Sequence, residues 1–69
     1  MSAALTHRRW ETTDEGSIGQ CIEKTTDALI LDAEANGVSD YEICDNGIHQ
    51  LPADGLITTF GGTLWIKAL

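Results

Sequence analysis

The stretch from Ser17 to Val38 constrains this chain most, because it carries a start signal, a stop signal and a divided surface. Ser17 followed by Gln20 has the S-x-x-[EQ] pattern of a capping box: the serine hydroxyl accepts from a first-turn amide and the glutamine reaches back. At the other end Asn36-Gly37 offers a left-handed residue, and Val38 is placed to fold onto the last turn as in a Schellman motif. No proline intervenes, and Gly19 sits in the first turn, where it costs least. At roughly 100° per residue, Ile18, Cys21, Ile22, Thr25, Ala28, Leu29 and Ala33 share one side. Gln20, Glu23, Lys24, Asp27 and Glu34 share the other; Leu31 falls among the acids and Asp32 near the edge of the apolar arc. The pattern predicts one amphipathic helix over 17–37.

Such a helix needs a surface to cover its apolar side, and the rest of the chain reads as short strands and turns. Ala4 to Thr12 suits an edge strand or an ordered arm, and 1–16 leads into the helix. Val38 to Cys44 reads as a strand, and Asp45-Asn46-Gly47 as a type I′ hairpin turn returning through Ile48 to Leu51. That hairpin would set Cys44 across from His49. Pro52 cannot donate to a ladder, so Pro52-Ala53-Asp54-Gly55 reads as a second turn. Gly61-Gly62 reads as a third, between Leu56–Phe60 and Thr63–Leu69. With that loop, Ile57, Leu64, Ile66 and Ala68 form a core face, while Leu56, Phe60, Trp65 and Leu69 form a second face too apolar to be left in water. Either the N-terminal arm with Trp10 covers that second face or it is an interface. The fold class is α+β: one amphipathic helix packed on a small antiparallel sheet of about three to five strands, within a single domain. Residues 38–69 would be consecutive β-hairpins.

Sixty-nine residues lie near the lower size at which one core holds a fold, so a homodimer or larger self-assembly stays open. Eleven acids against four lysines and arginines give a net charge of −7. That disfavours direct nucleic-acid binding, which depends on cationic side chains, and favours contact with basic surfaces. No run approaches the roughly twenty apolar residues of a membrane span, and the first ten residues lack a signal peptide's apolar core; a cytoplasmic location with reduced thiols is the expectation.

His7, Cys21, Cys44 and His49 are ligand types for zinc, but their spacing contains no C-x-x-C or H-x-x-x-H pair, and no metal or cofactor is expected. No glycine-rich phosphate loop, serine triad or metal-spaced carboxylate set appears, so the chain reads as non-enzymatic.

The order of a strand, a helix and then strands over about seventy acidic residues resembles dodecin, a flavin-storing shell of many copies. Tyr41-Glu42-Ile43-Cys44-Asp45-Asn46-Gly47-Ile48 sits where that family's second strand begins. The resemblance implies one long returning strand where Pro52 and Gly61-Gly62 predict breaks, and the family's flavin-stacking tryptophan has no match here, Tyr41 being the nearest aromatic. In size, charge and lack of catalytic motifs the chain is also similar to phage-encoded inhibitors of host defence, anti-CRISPR proteins among them, which occupy basic nucleic-acid channels as DNA mimics.

The leading expectation is a non-catalytic acidic binding protein whose helix surface, Glu23, Asp27 and Glu34 around Leu31, engages a basic protein or nucleoprotein complex. The alternative is a self-assembling homo-oligomeric module that uses Phe60, Trp65 and Leu69 and encloses a small ligand.

Overall fold

The structure, a computed structural model, describes residues 4–69, with the side chains of residues 4, 5, 53 and 54 left aside. One helix, α1 (Ile18–Ala35), packs on a four-stranded antiparallel sheet, an α+β arrangement. The strands are β1 (Ala4–Thr12), β2 (Tyr41–Asp45), β3 (His49–Asp54) and β4 (Ile57–Ala68). β4 is the spine: β1 pairs along one side of it, while β2 and β3 lie end to end along the other.

The helix ends where Gly37 takes φ +70°, and its Schellman bonds form as the sequence predicts: the Val38 amide donates to the Ala33 carbonyl and the Gly37 amide to that of Glu34. Its start differs. A single 3₁₀ turn, Glu15–Ser17, precedes α1, and Ser17 makes no side-chain cap. Asp14 does this work instead, accepting from the Gly16 amide at 3.0 Å and the Ser17 hydroxyl at 2.8 Å. A carboxylate three residues upstream satisfies the orphan donors better than a hydroxyl, because it is charged and sits at the positive end of the helix dipole.

Two of the three sequence-predicted turns are not turns. Asn46-Gly47 needs positive φ at both residues to form type I′, yet only Gly47 has it, at +89°. The Gly47 amide instead bonds the Asp45 carboxylate, and Asn46 ties both its backbone amide and its side-chain Oδ1 to Thr63. The chain therefore jogs and continues along β4, so Cys44 and His49 are not cross-strand neighbours. Gly61-Gly62 lies within β4, which runs straight through as twelve residues. The one hairpin in this half joins Asp54 and Ile57 through Gly55-Leu56, with Gly55 at φ +69° in the first central position. β3 passes through Pro52 rather than stopping there; its register with β4 slips between Leu51 and Asp54, where proline has no amide to give.

The reason β4 stays straight is Trp10. In register opposite Gly62, its indole lies over the glycine, an aromatic filling the space a missing side chain leaves. Trp10, Leu29, Ala33, Leu64 and Ile66 are the buried core, with Ile18, Cys21, Ile22, Val38, Tyr41, Ile43 and Phe60 packed around it. The N-terminal strand thus contributes its tryptophan to the space under α1, not to the other face.

Arg8, one turn of the pleat from Trp10, reaches the same side and meets the helix. Its Nε and Nη2 donate to the two Asp32 oxygens at 2.8 and 3.0 Å, which accounts for an acid at the edge of the apolar arc. These hydrogen bonds hold the Asp32 carboxyl below its ordinary value; partial burial opposes them and the guanidinium charge adds to them. A carboxyl lowered by folding stabilises above its unfolded pKa and loses that contribution as pH falls through the folded value. Asp32→Asn is therefore expected to melt slightly below the wild type at pH 7. The two curves should converge as pH falls below about 4. A constant gap across pH would show that the pair contributes through packing alone.

Candidate functional site

The sequence-predicted binding residues of α1 lie on the outer side of the helix, Trp65 lies on the opposite side of the molecule, and Phe60 lies between them at the core margin. On α1, Glu23, Asp27 and Glu34 are all exposed, and Leu31 among them is 65% exposed. Lys24 is the helix's one cation. Near this surface Arg8 is already held by Asp32, so it leaves the exposed acids unneutralised.

The second surface is not the one the sequence suggests. Because β4 is continuous, residues separated by an even number lie on one face from end to end. Phe60 joins Leu64 and Ile66 on the helix side and packs at the core margin. Trp65 points the other way, so the expected pair Phe60 and Trp65 is split across the sheet. Leu69 follows the end of β4, exposed, its amide bonded to the Asp40 carbonyl.

The outer face around Trp65 can be read from the register. His7 of β1 and Cys44 of β2 flank Trp65 directly. Towards the chain end, Lys67 pairs with Glu42. In the other direction come Arg9 beside Thr63, then Glu11 and His49 on either side of Gly61, then Leu51 beside Thr59. Trp65 and Cys44 are half-buried, while His7, Arg9, Glu11 and His49 are exposed. Arg9 contacts Glu11 at 3.3 Å. A shallow hollow of about 220 Å³ opens here, with Gly61 and Gly62 as its floor and Arg9, Asn46, His49 and Thr63 at its rim. The His49 Nε2 lies 2.7 Å from the Asn46 carbonyl oxygen, which accepts from it.

The residues His7, Arg9, Cys44 and His49 were not legible as neighbours of Trp65, because the assumed turn at Gly61-Gly62 reverses which residues share a face. One signal was available: an aromatic ring can cover a glycine on a neighbouring strand, and a glycine pair in a long apolar stretch offers such a place to Trp10. His7, Cys21, Cys44 and His49 do not converge, since Cys21 packs against the core from α1 whereas the other three belong to the outer face. Among the described residues, no helix is long and apolar enough to cross a membrane.

No protein-family model, curated protein or solved structure matches this chain.

Proposed function

We propose that this chain is a non-catalytic acidic binding protein that engages a basic protein surface through the exposed side of α1. The observation that supports this is the grouping of Glu23, Asp27 and Glu34 around a 65% exposed leucine on one rigid helix. Apolar residues at the centre of a patch drive association, and rim charges steer it and set its partner. The partner class with matching chemistry is a nucleic-acid-handling protein or complex in the cytoplasm, whose phosphate-binding channel presents closely spaced cations. Occupying such a channel with carboxylates inhibits it, as a mimic of the nucleic acid.

The test is a tagged pull-down at low and high salt, comparing wild type with the Glu23→Lys, Asp27→Lys double variant. Wild type is expected to retain a basic nucleic-acid-binding complex that salt releases, since exposed charges are screened within about 8 Å at physiological ionic strength. The reversed variant should retain none of it. Equal recovery by both proteins would sink this reading.

A further inference from the structure

Among the described residues no element lies over the outer face of the sheet, and its composition is unlike the rest of the molecule. We propose that this face is the contact between two copies of the chain, packed sheet to sheet with Trp65 at the centre.

Three observations carry this. The first is charge. Among the described residues the face bears Arg9 and Lys67 against Glu11 and Glu42, a balanced set, whereas the whole chain carries −7. Two copies meeting through their helix surfaces would set carboxylates against carboxylates; two copies meeting here would not.

The second is the deficit of burial. The chain exposes 4740 Å², against about 4,200 Å² for a compact monomer of its mass. Its radius of gyration is 13.6 Å, against about 11 Å for a compact chain of this length. β4, about 40 Å long, outruns α1, about 27 Å long. The tip of the sheet is left bare, with Leu56 fully exposed and Ile57 56% exposed. Chains of this size commonly gain the missing burial by oligomerising.

The third is area. β4 is about 40 Å long and its neighbours lie about 4.8 Å to either side, so with side chains the face measures about 40 × 15 Å. That supplies about 600 Å² per partner, the lower end of what specific interfaces bury.

The same observations select the occupant. Nucleic acid requires a cationic surface, and the described residues of this one carry no excess of cations. A lipid surface requires a continuous apolar patch, and here charged side chains alternate with Trp65, Cys44, Leu51 and Ile57. A second copy satisfies both. With a two-fold axis along β4, each Trp65 lies on its counterpart, and Glu11 on β1 of one copy lies over His49 on β3 of the other.

The experiment is sedimentation equilibrium from about 5 µM to about 500 µM, with tryptophan quenching by acrylamide on the same samples. Wild type should shift from monomer to dimer mass. The chain has two tryptophans; Trp10 is already buried, so quenching by acrylamide reports mainly on Trp65 and should fall as the dimer forms. Thr63→Lys and Trp65→Lys should each weaken association by about 30-fold or more, and Leu31→Lys should leave it unchanged. If Trp65→Lys fails to fold, Thr63→Lys and the wild-type quenching decide. The inference is overturned by a monomer at every concentration, by dimerisation with unchanged quenching, or by a dimer that Leu31→Lys breaks and Thr63→Lys does not. It stands apart from the helix-surface reading, since Glu23→Lys with Asp27→Lys leaves this face intact.

Discussion

Trp10→Ala is expected to leave most of the chain unfolded at 25 °C. Trp10 is 5% exposed and is the largest side chain in a core whose other buried members are Leu29, Ala33, Leu64 and Ile66. Removing a buried tryptophan costs about 3–5 kcal/mol. A single core in a chain this short supplies about the same total. The loss also uncovers Gly62 and removes the packing that keeps β1 against β4, so β1 loses its hold together with the Arg8–Asp32 pair it presents to α1. Urea unfolding followed by circular dichroism, at concentrations low enough to hold the protein monomeric, measures this directly. Trp10→Phe keeps a ring over Gly62 and should retain a cooperative transition at a lower midpoint. If Trp10→Ala melted within a few degrees of wild type, Trp10 would not be the core residue described here.

Gly62→Ala is the second substitution with a large expected effect, and it comes from the same contact seen from the other side. A Cβ at this position would lie 2.6 Å from the Gly47 carbonyl oxygen, 2.8 Å from the Trp10 Nε1 and 3.1 Å from its Cε2. The indole is locked in the core and the Gly47 carbonyl belongs to a jog fixed by Asp45 and Asn46, so neither gives way easily. Overpacking of this kind costs about 1–3 kcal/mol. In a domain of this size that lowers the melting temperature by roughly 4–8 °C per kcal/mol. Gly62→Asn separates the two readings of Gly61-Gly62: a hairpin turn accepts asparagine readily, whereas a strand under Trp10 does not. Asparagine is therefore expected to damage the fold at least as much as alanine. Gly19→Ala is the control, since a Cβ there meets nothing within 4 Å and the first turn of α1 gains helix propensity.

How far the fold was legible follows from which signals are local. The helix was readable because its apolar period and its Asn36-Gly37-Val38 stop act within a few residues, and the structure forms the same Schellman bonds. Ser17 holds the N-cap position that the sequence predicts, but its side chain makes no cap bond, because a 3₁₀ turn capped by Asp14 leads into the helix. The glycine-containing dipeptides were ambiguous for a stronger reason. Asn46-Gly47 and Gly61-Gly62 are equally compatible with a turn, a jog and a close approach, because glycine permits all three. The same ambiguity hid the candidate site: one turn too many in β4 reverses its faces, moving Phe60 out of the core and separating Trp65 from His7 and Cys44.

By itself the sequence determined the α+β class, the length and polarity of α1, and the concentration of carboxylates around Leu31 on its exposed side. Each of these depends on spacing along a regular helix or on composition. Only the tertiary structure decided that β4 runs unbroken, that Trp10 sits over Gly62, and that, among the described residues, the charge-balanced face of the sheet is the one opposite α1. Those outcomes depend on residues brought together across more than fifty positions of chain, where packing of one large ring against one absent side chain outweighs the local preference of glycine for turns.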